Sequence, residues 1–104
     1  GLPGLAHKKS LRVLDLGAGV GTGTLGAMNL AKALDLNVQW DVTAVEPDPL
    51  CKAPFIRAIA AMEEATDYRV ALKHHTEDIG KWLRRAGNSG RSRGPAHRAD
   101  RFDL

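Results

Sequence analysis

The sequence predicts an α/β fold, a parallel sheet with helices on both faces, and three observations predict it. Short apolar runs rich in β-branched residues recur, stretches of helical periodicity separate them, and the first run stops abruptly at a cluster of glycines. Strands and helices that alternate in this way are joined by right-handed crossovers, which set consecutive strands parallel.

Residues 11–16 (Leu-Arg-Val-Leu-Asp-Leu) are mostly apolar and predict a buried first strand. From 22 to 34, Leu25, Met28, Leu30, Ala31 and Leu34 recur at helical spacing, with Asn29, Lys32 and Asp35 at the wetter positions. Residues 41–46 (Asp-Val-Thr-Ala-Val-Glu) predict a second strand, closed by the turn-forming Glu46-Pro47-Asp48-Pro49. Asp48 then serves as N-cap and Pro49 fits the first turn of a second helix, whose stripe is Leu50, Phe55, Ile56, Ile59 and Met62. That helix ends near Ala65, and Pro54 delays its regular start.

Residues 68–73 predict a third strand, and Ile79, Trp82 and Leu83 mark a short third helix over 78–86. Residues 87–100 are rich in Gly, Ser, Pro and Arg without periodicity and predict a flexible basic loop. Residues 101–104 (Arg-Phe-Asp-Leu) read as the start of a fourth strand. About three strands and the start of a fourth make an incomplete sheet with an open edge. The first residue is Gly1 rather than methionine, which also reads as a fragment or a processed chain.

The 104 residues amount to about one small domain, with 43% hydrophobic and 26% charged content in the globular range. Cys51 stands alone, so an internal disulfide is excluded and a reducing, cytoplasmic setting is expected. No apolar run approaches the roughly 20 residues that span a bilayer, so no membrane partner is expected. The net charge of +3 is uneven: residues 81–104 carry Lys81, Arg84, Arg85, Arg91, Arg93, Arg98 and Arg101 against Asp100 and Asp103. That segment is a candidate for nucleic-acid phosphates, although its loop, residues 87–100, lacks the aromatic residues of a base-stacking surface.

Chemistry concentrates at Asp15-Leu16-Gly17-Ala18-Gly19-Val20-Gly21. A glycine turn leaving a parallel strand lets backbone approach a ligand closely, and the following helix offers unpaired N–H groups and a positive dipole end. No lysine follows these glycines before Lys32, so the phosphate-binding loop Gly-x-x-x-x-Gly-Lys-Ser/Thr is excluded. The dinucleotide fingerprint Gly-x-Gly-x-x-Gly fits literally at residues 21–26, which is four residues too late for the strand end. Adjacent strand residues face opposite ways, so His74 and His75 do not share a metal ion, and none is expected. Cys51 and the two tryptophans, Trp40 and Trp82, read as packing residues.

The string Val13-Leu-Asp-Leu-Gly-Ala-Gly-Val-Gly21 resembles the first motif of class I S-adenosylmethionine-dependent methyltransferases. The resemblance extends to Val42-Thr-Ala-Val-Glu-Pro-Asp48, to His75-Thr-Glu-Asp-Ile79 and to Arg101-Phe-Asp-Leu104, in family order across essentially the whole chain. It implies a Rossmann-like sheet, S-adenosyl-L-methionine as cofactor, and residues 1–104 as the cofactor-binding part of a methyltransferase domain, expected to be inactive alone. By the resemblance, Gly17, Ala18, Gly19 and Gly21 form the loop under the methionine part, and Asp15 helps receive its ammonium. Glu46, followed by Pro47, grips the ribose hydroxyls. Asp78 accepts from the adenine amine, with Glu77 its competitor one residue away, and Ile79 covers the ring. No catalytic residue is assigned, because the family places its substrate-proximal residues just after strand four, and the class of methyl acceptor stays open. The alternatives are a non-catalytic Rossmann-like module associated with RNA or the ribosome and, behind it, an NAD(P)-binding domain.

Overall fold

The computed structural model describes residues 9–92, with side chains through residue 88. Strands β1 (Lys9–Leu16), β2 (Val38–Val45) and β3 (Val70–His75) form one parallel sheet in that order. Helix α1 (Thr22–Ala33) links the first two strands. A 3-10 turn (Pro49–Cys51) and α2 (Lys52–Ala65) link the second pair, and α3 (Ile79–Ser92) follows β3. The arrangement is an incomplete Rossmann-like α/β fold, as the alternating pattern predicts.

Register sorts the side chains. Val13 pairs with Val42 and Asp15 with Ala44, while Val42 pairs with Leu72 and Ala44 with His74, so these residues share one face. Helices α1 and α2 cover that face, and Met28, Ala31, Trp40, Val42, Ala44, Phe55 and Ile59 form the core between helices and sheet. Met28, Val42 and Phe55 are wholly buried, and each such side chain contributes roughly 1.5–3 kcal/mol. The opposite face carries Arg12, Leu14, Asp41, Thr43 and Lys73, which with Trp82 of α3 line a cavity of about 890 Å³. Trp82 also leans on His75, with ring centroids 5.9 Å apart.

Local chemistry sets the helix ends. At the end of α1, Asp35 adopts a left-handed φ of 57°, which aspartate tolerates better than most residues. The Asp35 and Leu36 N–H groups donate back to Lys32 and Ala31 carbonyls, closing a Schellman motif. Before α2, the Leu50 N–H donates to Asp48 Oδ1 at 2.9 Å, the predicted cap. Regular α-helix begins only at Lys52, which leaves Pro54 in the first turn, where its missing N–H costs nothing. At the end of α2, Thr66 donates its hydroxyl to Met62 O and accepts the Tyr68 N–H.

Two sequence expectations are corrected. The first strand is not buried: Leu11, Leu14 and Leu16 are 40%, 51% and 41% exposed, β1 is an edge strand among the described residues, and Leu14 and Leu16 point to the face that α1 and α2 do not cover. The basic stretch is not a loop from residue 87 onward, because α3 continues through Ser92. Once Ile79 and Trp82 anchor the first turns, each further residue adds a backbone hydrogen bond, which offsets the roughly 1 kcal/mol that each glycine costs. Residues 93–100 of the expected loop and the fourth strand at 101–104 lie outside the described residues. Strand boundaries also differ: β1 and β2 start two and three residues earlier than expected, and β3 is displaced by two.

Candidate functional site

The site is built where β1 and β2 end. After Leu16 the chain must turn sharply to begin α1, and it does so with Gly17, Gly19 and Gly21 all at positive φ, 72°, 55° and 96°. Side-chain-bearing residues reach this region only at a cost of about 1–3 kcal/mol, so the three glycines at alternate positions are a backbone requirement. At Gly21 the space is also tight: a Cβ would stand 3.3 Å from the Phe55 ring, which would have to give by a few tenths of an ångström. The turn is pinned to β2 by the N–H groups of Gly17 and Ala18, which both donate to Val45 O at 2.8 and 3.2 Å.

Glu46 completes the turn from the other side. Its Oε1 accepts the Gly19 N–H at 2.8 Å and its Oε2 accepts the Asp48 N–H at 2.9 Å. Glu46 is itself fixed by its N–H, which donates to His75 O at 2.9 Å. A carboxylate offers about four acceptor positions, so one oxygen lone pair on each side remains for further donors. Two vicinal hydroxyls match that remaining capacity.

Asp15 faces the helix. Its Oδ2 accepts the Thr24 hydroxyl at 2.6 Å, and Thr24 is 1% exposed in the first turn of α1. The carboxylate thus ties β1 to α1 beneath the glycine turn. A carboxylate in an apolar strand requires a partner, and Thr24 is that partner. The signal was there, a hydroxyl in the first turn of the helix that follows.

At the third loop the structure separates the two adjacent acids. Asp78 caps α3, accepting the Lys81 N–H on Oδ2 at 2.9 Å, while Trp82 N–H donates to the Asp78 carbonyl. Glu77 takes Arg85 by both guanidinium nitrogens, at 2.6 and 2.8 Å, and stands 3.7 Å from His75. The Arg85 hydrogen bonds hold the Glu77 carboxyl below its usual range and raise the Arg85 guanidinium above its own. Ile79 reaches the glycine turn, its Cδ1 lying 3.7 Å from where a Cβ on Gly17 would be. The structure therefore brings Gly17, Ala18, Gly19, Gly21, Glu46, Pro47 and Ile79 to one place, while Asp78 faces its own helix and Asp15 faces Thr24.

The two histidines lie on opposite faces. His74 meets Phe55 edge-on at 5.6 Å and His75 meets Trp82. Burial first, then the charge of Lys52, pushes the His74 imidazole below its usual range, and its Nε2 is buried without a hydrogen-bond partner. Cys51, in the 3-10 turn, has its thiol pushed up by burial and by the negative charges of Asp48 and Glu46, which suppresses thiolate chemistry. Trp40 is a core residue, 3% exposed and packed on Tyr68. Among the described residues no cluster of three metal-ligating side chains occurs, and no helix is long and apolar enough to cross a membrane.

No family model, no curated protein and no solved structure matches this chain.

Proposed function

We propose that this chain binds S-adenosyl-L-methionine and supplies the cofactor-binding half of a methyltransferase. The observation that carries the reading is the Gly19–Glu46 clasp: an acid at the end of β2 is held against a turn of three left-handed glycines at the end of β1. Its acceptors stand where a ribose would lie if a nucleoside followed the ends of the strands. When bound, the cofactor supplies an electrophilic methyl group on a sulfonium centre. The chain's own part is to bind and orient: Glu46 accepts the ribose hydroxyls, the glycine turn gives the methionine part backbone without side chains, and Ile79 offers an apolar contact. Asp15 reaches the ammonium only through a proton acceptor left over from Thr24. Asp78 accepts the Lys81 N–H as the α3 cap and keeps acceptor positions for the adenine amine, while Ile79 and its neighbouring backbone offer the ring a contact. In-line transfer depends largely on such positioning, and no general base is assigned.

The dinucleotide alternative is weakened by one observation. Gly23 and Gly26 of the literal fingerprint lie inside α1 rather than in the turn. The single cysteine supports an intracellular, cytoplasmic site of action.

Calorimetric titration of the full chain with S-adenosylmethionine and S-adenosylhomocysteine tests the reading. Binding should weaken at least tenfold in Glu46→Ala, about 1.4 kcal/mol. Wild-type chain that binds neither ligand, or that prefers NAD, overturns it; the non-catalytic module is the first of these outcomes.

A further inference from the structure

Helix α3 is the feature that the cofactor reading leaves unexplained. Its fourteen residues include no acid, and Lys81, Arg84 and Arg85 are exposed. At 100° per residue, Lys81, Arg84, Arg85 and Asn88 fall on one side of the helix and Ile79, Trp82, Leu83 and Ala86 on the other. Arg91 occupies the helical position two turns beyond Arg84. The stretch read from composition as an unstructured loop thus places its cations at one- and two-turn intervals along a rod.

The rod has a fixed starting point. Asp78 caps its first turn, the bidentate Glu77–Arg85 pair ties its second turn to the β3 loop, and Ile79 seats it against Gly17. Lys81 to Arg84 covers about 4.5 Å of axis at 1.5 Å per residue. Asp78, which with Arg84 flanks Gly80, already accepts the Lys81 N–H.

We infer that the Lys81–Arg84 face of α3 is a docking surface for the phosphodiester backbone of a nucleic acid, leading toward the glycine turn. Backbone contact by scattered cations is sequence-independent and needs no aromatic platform, which fits a face made of Lys81, Arg84, Arg85 and Asn88, with Trp82 on the opposite side of the helix against His75. The inference stands whether or not the chain binds S-adenosylmethionine, since its test requires no cofactor.

Binding of the full chain to a fluorescein-labelled 20-nucleotide single-stranded RNA, to the same sequence as duplex DNA and to phosphatidylserine vesicles is measured between 50 and 200 mM salt. The expected result is salt-dependent binding to RNA or DNA. The paired variant Lys81→Ala/Arg84→Ala should reduce the magnitude of its log–log salt slope by about 1.4 for single strands, or about 1.8 for duplex. Arg57→Ala on α2 should leave the slope unchanged. Which nucleic acid retains the larger slope names the source of the phosphates. No binding at 50 mM salt, an unchanged slope in the paired variant, or equal retention by vesicles overturns the inference. Circular dichroism of each variant verifies the fold.

Discussion

The Gly19 N–H donates to Glu46 Oε1 at 2.8 Å across 27 residues of sequence, so one hydrogen bond joins the end of β2 to the middle of the turn after β1. With the Asp48 N–H on Oε2, this carboxylate organises two loops at once. It also makes Glu46 a structural residue in its own right.

Glu46→Ala should therefore lower stability as well as affinity. Charge-assisted hydrogen bonds contribute about 1.5–3 kcal/mol when buried, and partial exposure brings the expected loss to about 1–2 kcal/mol. Thermal melts of the full chain check this: Glu46→Gln, which keeps one acceptor oxygen, should fall between wild type and Glu46→Ala. An unchanged midpoint in Glu46→Ala would show that the turn holds itself.

Thr24→Val keeps the branched shape and removes the hydroxyl that Asp15 accepts from at 2.6 Å. The half-buried carboxylate then loses a donor, and chemical denaturation should report about 1.5–3 kcal/mol less stability. Asp15→Asn, which retains an acceptor oxygen, should lose less. Equal stability of Thr24→Val and wild type would remove the Asp15–Thr24 tie from the account.

Gly21→Ala and Gly26→Ala should move in opposite directions. At Gly21, φ is 96° and Phe55 crowds the new methyl at 3.3 Å, so a loss of about 1–3 kcal/mol is expected. Gly26 lies within α1 with nothing within 4 Å of the new carbon, so alanine there should add about 0.5–1 kcal/mol. Denaturant midpoints decide the matter, and a destabilised Gly26→Ala would be the contrary result.

His74 gives a pH dependence of defined sign. Its imidazole titrates below the ordinary 6.5 because burial disfavours the cation. Between that lowered value and 6.5 the unfolded chain holds the extra proton, so stability rises with pH across this window and levels off above it. Lys52 reinforces the trend and Glu46 opposes it. His74→Leu should flatten the profile of melting temperature just below pH 6.5, and an unaltered slope in that variant would assign it to another group.

Much of this was legible in the residues. Alternating runs gave the parallel sheet, and the Asp48 cap and the delayed helix start at Pro54 followed from local rules that act within one turn. The glycine turn and Glu46 were legible because each demands a particular residue type. The exposure of β1 was not, since an apolar strand reads the same whether or not a neighbour covers it. The local partners of Glu77 and Asp78 were not legible, because capping and ion pairing are decided by a helix that reaches Arg85, eight residues on from Glu77. Residues 87–92 were misread because composition records what a glycine costs but not the cooperativity that carries a helix past it.

One consequence follows from the side of the sheet that α3 occupies. Helices α1 and α2 lie on one face and carry the chain from β1 outward to β3, whereas Trp82 places α3 on the other face. Handedness then reverses the direction of travel: a right-handed path from that second face leads back across the strands and past β1, not beyond β3. Any strand reached by such a path would lie against the exposed Leu14 and Leu16. The glycine turn would then stand at the watershed of the sheet, where successive loops diverge to opposite sides and leave a crevice between them.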